Sequence, residues 1–443
     1  MREVAGCVAR ECKERPIVRT LWRVDRSGEP TETILANGMP LVEMPMPGRL
    51  ATTIAIAFPA GARHEAADEV GVAHLLEHMV FKGSETHHTA TELNRAAECL
   101  GTELGGSAMQ DYVEFGSVVR AESAMPTIDL LTDVCGRALL DPAHLELERS
   151  VILREIADAD EDPGTRADDR VTAALFAGHR LGTSIAGKAS DVERLTHEQV
   201  LSFRERQWSP EGGLVVVAGN LEHLDRGPLE ELLLRIPPRA KPPPPPPIDP
   251  FQRRVEIEER DSDIVHLRLA YAVPGLELGR ARDRALAEVY SDLLGGPMGS
   301  RLYEELREQR GLCYWIDGGL WGYGDASFLS VDCSVRAADL AETYLAIEAI
   351  VTDLREHGPS EEESARARSY AGGSGALGFE STRARGDHAV ELIMEYGDHD
   401  VDPVRHLRAI ESVTRHNLAE AAAMVEPGPC VGCVGPVSAG DLT

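Results

Sequence analysis

Residues 236–250 read Ile236-Pro-Pro-Arg-Ala-Lys-Pro-Pro-Pro-Pro-Pro-Pro-Ile248-Asp-Pro250 and constrain the fold more than any other segment. Proline has no backbone N–H and a fixed φ, so neither a helix nor a central strand can run through this stretch. Such a run is a stiff, extended spacer. It could instead be a ligand for proline-binding modules, but it falls where a connection between two halves is required. A chain of 443 residues is too long for one ordinary domain and suggests two or three. The expected organisation is a first domain over 1–235, a proline-rich linker over 236–251 and a second domain over 252–443.

The two halves echo each other. Thr52–Phe58 and Val265–Tyr271 are strand-like runs that open each half, and each is followed by a helical segment. An alternating strand comes next, Tyr112–Val119 or Ala326–Val335, then acidic amphipathic helices. Leu214–Ala218 and Cys430–Val434 are closing apolar strands. This order predicts duplicated α+β domains.

In the first half, Gly71-Val-Ala-His74-Leu-Leu-Glu77-His78-Met-Val-Phe-Lys-Gly83 sets two imidazoles and a carboxylate on one helix. At about 100° per residue, His74 and His78 fall roughly 40° apart on its circumference, with Glu77 about 60° to the other side of His74. Two neutral histidines one turn apart can grip a divalent metal, and zinc is the commonest with imidazole and carboxylate ligands. Glu77 would stand where a general base is needed to take a proton from an activated water. The alternative is that these are ordinary helix-face side chains. The surrounding Val72, Leu75, Leu76, Met79, Val80 and Phe81 bury the helix, however, and buried histidines need partners. A third ligand is available in Leu147-Glu148-Arg-Ser-Val-Ile-Leu-Arg-Glu155, where Glu148 and Glu155 lie seven residues apart on nearly one face. By spacing alone either could close the site, or both could be surface glutamates.

An H-x-x-E-H string followed 77 residues later by Glu155 resembles the pitrilysin family of inverted zinc peptidases, the inverzincins. The likeness is to its mitochondrial-processing-peptidase branch, which includes bacterial chains of this size. It extends over nearly the whole sequence through Leu35-Ala-Asn37-Gly38-Met-Pro-Leu-Val, Gly61-Ala-Arg63-His-Glu65 and Ser300-Arg301-Leu-Tyr-Glu-Glu-Leu-Arg307-Glu-Gln-Arg-Gly311-Leu-Cys-Tyr314. The resemblance implies one Zn2+ per chain held by His74, His78 and Glu155, with Glu77 as the base and Glu148 orienting the ligands. It implies two alike domains, each an antiparallel sheet with helices packed on one face, closing as a clamshell around a chamber. The second half has no H-x-x-E-H and would hold no second zinc there. Its contribution would be Arg307 and Tyr314, a pair that in the family stabilises the oxyanion of the tetrahedral intermediate. Some members place the zinc site and this pair on different chains; both are present here, which favours a self-sufficient subunit.

One departure concerns substrate binding. Gly105, Gly106, Ser107 and Ala108 stand where members carry an Asn-Ala pair on a substrate-pairing edge strand. Glycines weaken a strand and supply no side-chain amide. The expected activity is zinc-dependent endopeptidase cleavage of peptides or unfolded segments; the rival is a catalytically silent, peptide-binding or structural subunit. A homodimer is expected, with a family partner chain as an alternative.

Gly295-Gly-Pro-Met-Gly299 lacks a P-loop ending and a dinucleotide fingerprint, and reads as a turn before a helix at Arg301. A net charge of −29 repels phosphate backbones, argues against nucleic acid and favours neutral or basic peptides. Eight cysteines form no disulfide framework. Cys99, Cys135, Cys313 and Cys333 read as buried thiols, and Cys430-Val-Gly-Cys433 as structural. The first 16 residues resemble no secretory or mitochondrial presequence, and no run reaches ~18 apolar residues. A soluble, cytoplasmic, bacterial protein with no membrane contact is expected.

Overall fold

The computed structural model describes residues 28–249 and 251–438. The first 16 residues, Cys7 and Cys12 among them, fall outside the described part. The first half forms a six-stranded sheet from β1 (Thr31–Ile34), β2 (Pro40–Pro45), β3 (Ala51–Phe58), β4 (Gly105–Ala108), β5 (Val113–Arg120) and β6 (Leu214–Gly219). The second forms a five-stranded sheet from β7 (Val255–Glu259), β8 (Ile264–Ala272), β9 (Cys313–Tyr323), β10 (Ala326–Arg336) and β11 (Cys430–Gly435). With β1 set aside, the strand orders β2-β6-β3-β5-β4 and β7-β11-β8-β10-β9 correspond one to one. Each sheet is antiparallel except for one pair, β2 with β6 and β7 with β11, which run parallel. The expected antiparallel sheets are therefore mixed, because the closing strand of each half returns across its helices to lie parallel beside β2 in the first half and β7 in the second.

Side chains alternate across a strand, so β3 divides its residues between two cores. Ile54, Ile56 and Phe58 join the cluster containing Leu75, Leu76 and Phe203 from the first half's own helices. Ala55 and Ala57 face the other way, onto Ala389, Val390 and Leu392. Those three belong to helix Thr382–Met394, which comes from the second half. The exchange is mutual: helix Pro163–Leu175 of the first half lies along β11, β8 and β7 of the second sheet. Helices therefore cover both faces of each sheet, and the second cover is borrowed from the other half. Burial on both faces is why β3 and β6 read as continuous apolar runs.

The two crossings are close. A Cβ on Gly432 of β11 would lie 2.2 Å from the backbone nitrogen of Val171, and one on Gly386 would lie 2.9 Å from the Thr53 side chain. Gly432 explains the Cys-Val-Gly-Cys segment: it admits a helix against the strand, Cys433 enters the second-half core, and Cys430 faces the crossing helix side. Ion pairs flank the crossings, Arg166 and Arg170 with Glu258, and Arg63 with both Asp111 and Asp325. Residues 237–249 have no regular structure. They are fastened to the first half where Ser209 donates to the Arg239 carbonyl at 3.0 Å and Arg63 to that of Pro246 at 3.5 Å.

Cys135, Cys313 and Cys333 are buried as expected, but Cys99 is exposed at the end of helix Ala90–Cys99, where the apolar face has already turned inward at Leu93 and Ala97. Among the described residues no helix is long and apolar enough to cross a membrane.

Candidate metal centre

Helix Val72–Val80 carries the H-x-x-E-H motif, and its position is set from below and from its N-terminus. Val72, Leu75, Leu76, Met79 and Val80 are buried, leaving His74, Glu77 and His78 partly covered on the opposite face. Gly71 starts the helix at φ 91°, where a Cβ would also lie 2.7 Å from the Ala186 carbonyl. The orphan N–H groups of the first turn are met by Glu65, whose carboxylate accepts from Gly71 and Ala73 at 2.9 Å each. Arg180 pairs with the same carboxylate at 2.7 Å. Glu65 and Arg63 sit in the Gly61–Glu65 motif, which carried no assigned role in the sequence; an acidic residue six positions before a helix-opening glycine was the only available signal.

The four residues expected at the centre converge. The Nε2 atoms of His74 and His78 are 3.2 Å apart, and an oxygen of Glu155 lies 3.7 and 3.6 Å from them. Ligands about 2.0–2.1 Å from a tetrahedral ion are separated by about 3.4 Å, so this triangle has the size zinc requires. Glu155 reaches in from helix Leu145–Glu161. Glu148, two turns earlier on that helix, is almost fully buried and stands 3.3 Å from His78 Nδ1 and 2.9 Å from Lys82 Nζ. This contact orients the ring and directs its Nε2 inward. His74 Nδ1 is buried without a partner. Burial, followed by the nearby His78, lowers the His74 pKa to about 4, so its ring is neutral and able to ligate at neutral pH.

Glu77 lies 3.9 Å from His74 Nε2 and completes the one group of three His, Cys, Asp or Glu ligand atoms that converge within 4.8 Å among the described residues. Burial raises its pKa, and the Glu155 carboxylate adds to this; His78 and the Ala108 N–H act in the opposite direction. A carboxylate whose proton affinity is raised, beside the ligand triangle, suits a base that takes and returns a proton.

The expected edge strand forms. Gly105–Ala108 is β4, at the edge of the first sheet, paired on one side only with β5. Its glycines have a further cause: a Cβ on Gly106 would lie 2.9 Å from the Phe81 ring and 3.0 Å from Glu77 Cγ, so the missing side chain gives Glu77 its space. β4, the motif residues, Glu155 and Ser184–Ala186 line an open hollow of about 490 Å³.

Arg307 and Tyr314 are brought to each other. Arg307 sits on a π-helix, Tyr303–Gln309, with its guanidinium 4.6 Å from the Tyr303 ring centre and 5.1 Å from that of Tyr314. Tyr314 is 84% exposed. No second-half residue lines the hollow at His74, and among the described residues neither Arg307 nor Tyr314 has a hydrogen bond or ion pair to the motif.

Two family models match the chain, "Insulinase (Peptidase family M16)" over residues 46–189 and "Peptidase M16 inactive domain" over residues 194–370. A Mycobacterium tuberculosis protein described as an uncharacterized zinc protease is 31% identical over 420 residues, covering 90% of this chain and 93% of its own. The zinc protease YmxG of Bacillus subtilis, likewise described as uncharacterized, is 26% identical and covers 79% of this chain and 84% of its own. A Pseudomonas fluorescens crystal structure described as a peptidase M16 inactive domain superposes with a TM-score of 0.82 at 19% identity, covering 93% of this chain and 99% of that one. At that identity it shows a shared fold.

Proposed function

From the premise that this chain belongs to peptidase family M16, we propose that it is a zinc-dependent endopeptidase acting on peptides or unfolded polypeptide segments. The carrying observation is the triangle of His74, His78 and Glu155 ligand atoms beside Glu77 and an unpaired strand edge. Zinc held by those three would lower the pKa of a water and polarise a substrate carbonyl. Glu77 accepts the proton of the attacking water and returns it to the leaving amine; the Ala108 N–H holds its carboxylate toward β4. An extended chain adds to the free edge of β4 by main-chain hydrogen bonds, which reads no particular sequence and requires an unfolded substrate.

Arg307 and Tyr314 supply the oxyanion contacts from a second copy of the chain. This reading is supported by their mutual stacking, by the exposure of Tyr314 and by the absence of second-half residues in the hollow. The test is metal analysis of the purified protein, then digestion of an unstructured peptide mixture with and without chelator. Chelator-sensitive cleavage is expected; a zinc-loaded protein that cleaves nothing would favour the silent, peptide-binding reading. Mixing inactive Glu77→Gln chains with inactive Arg307→Ala chains should restore part of the activity. No recovery on mixing, with both variants dimeric, would return the pair to its own chain.

A further inference from the structure

The second half contains a structural counterpart of the metal hollow. Helix Ala281–Leu294 follows β8 as the motif helix follows β3, and the burial patterns of the two helices coincide. Leu75, Leu76, Met79 and Val80 correspond to buried Val289, Tyr290, Leu293 and Leu294. The partly covered His74, Glu77 and His78 then correspond to Glu288, Ser291 and Asp292. Contacts with the edge strand repeat as well. Ser291 Oγ accepts from the Leu320 N–H at 3.0 Å, as Glu77 accepts from Ala108. A Cβ on Gly319 would meet Ser291 Oγ at 2.5 Å, as one on Gly106 would meet Glu77.

This place is open: Glu288, Ser291 and Asp292 line a cavity of about 390 Å³ with Trp321, Glu391 and His388. Its charge is unbalanced. Arg284, also in the wall, is committed to Asp398 and stacks over Tyr396 at 5.4 Å, while Glu288 is bonded to His406 at 2.9 Å. Asp292 and Glu391 form no ion pair among the described residues, and His388 Nε2 is buried with no partner. Burial, with Glu288 and Asp317 nearby, pushes the Asp292 carboxyl up to about 7; burial also raises Glu391, with Arg284 and His406 opposing. The half-exposed indole of Trp321 offers a π surface in the wall. Among the described residues no three ligand atoms converge here as they do at His74. Carboxylates without an ion-pair partner among the described residues, beside an aromatic face, suit a delocalised organic cation, which can stack and hydrogen-bond at once.

We propose that the second half uses its equivalent of the metal hollow as a binding pocket for a guanidinium or ammonium group, carried by a free amine or by a basic peptide side chain, with Asp292, Glu391 and Trp321 as its contacts. The reading stands apart from the peptidase assignment, since no zinc ligand takes part.

Titration calorimetry on the full chain tests it, using agmatine, its neutral urea isostere carbamoylputrescine, and a short alanine peptide carrying one arginine or one citrulline. Agmatine should bind at one site per chain and carbamoylputrescine should not. Affinity should fall at least about tenfold in Asp292→Asn and in Trp321→Leu, and stay unchanged in Glu155→Gln. Binding of the arginine peptide without agmatine would keep the pocket and assign it to peptide side chains. No binding by either cation overturns the proposal, as does equal binding in both pocket variants. Loss of binding in Glu155→Gln would move the cation to the first-half hollow and overturn it too. Trp321→Leu alters a half-exposed residue, so its result stands even if Asp292→Asn misfolds.

Discussion

Helices Val72–Val80 and Ala281–Leu294 occupy equivalent places and share a packing code, but not a chemistry. Their buried pairs, Leu75/Leu76 with Met79/Val80 and Val289/Tyr290 with Leu293/Leu294, seat each helix on its own sheet. The three positions that face the edge strand carry His, Glu and His in one and Glu, Ser and Asp in the other. Apolar positions answer to the core, where a lost methylene is felt; the open-face positions answer only to whatever binds there. Duplication thus supplies one frame twice, and the chemistry resides in three side chains on each copy.

The sharpest way to break this comparison is at Glu77. Glu77→Gln should keep its zinc and lose about 10²–10⁴-fold in turnover, since an amide fills the space without accepting a proton. Ser291→Ala, at the equivalent position, should leave turnover unchanged. Wild-type turnover in Glu77→Gln, measured on an unstructured peptide, would remove it as the base. At the next level, Glu155→Gln should strip most of the metal, whereas Glu148→Gln should weaken zinc binding by about 10–100-fold through the loosened His78 ring. Equal zinc occupancy in wild type and Glu155→Gln by atomic absorption excludes Glu155 as a ligand.

The two borrowed helices give a second comparison. Gly432→Ala forces a Cβ to within 2.2 Å of helix backbone that cannot yield, while Gly386→Ala meets the Thr53 side chain at 2.9 Å. The first should cost about 1–3 kcal/mol or more and the second less, read as chemical-denaturation midpoints. A reversed order would mean that the crossing at β3 is the tighter one.

The last expected effect is a pH slope from the second-half cavity. Burial, then His406 and Arg284, lower the His388 pKa to about 3, with Asp398 opposing; Glu288 and Glu391 also border it. The unfolded chain therefore binds this proton first. Stability contributed by neutral His388 is present above about pH 6.5 and is lost as pH falls toward 3, by up to about 1.4 kcal/mol per pH unit. His388→Phe should flatten that part of the stability curve, and an unchanged slope would assign it to other groups.

Much of the centre was legible in the chain because its chemistry is local. A four-residue repeat on a helix sets His74 beside His78 whatever the rest of the fold does. Glu155 required the family likeness, since spacing left Glu148 equally eligible; the structure separates them by distance and burial. Gly106 was read as a weakness of the strand, and only its approach to Glu77 revealed it as room for a side chain. The same holds for Cys430–Cys433, where the glycine between the thiols is the residue that matters, because a helix from the other half rests on it.

What the sequence determined by itself was the duplication, the break at the proline run and the pairing of two histidines with Glu77, all written in periodicities of a few residues or in the missing N–H of proline. What only the tertiary structure decided was the exchange of helices Pro163–Leu175 and Thr382–Met394 between the sheets, the stacking of Arg307 between Tyr303 and Tyr314, and the cavity at Asp292. Each of these joins residues on separate elements, in places more than a hundred positions apart, and no local pattern records which faces will meet when the chain buries its apolar surface.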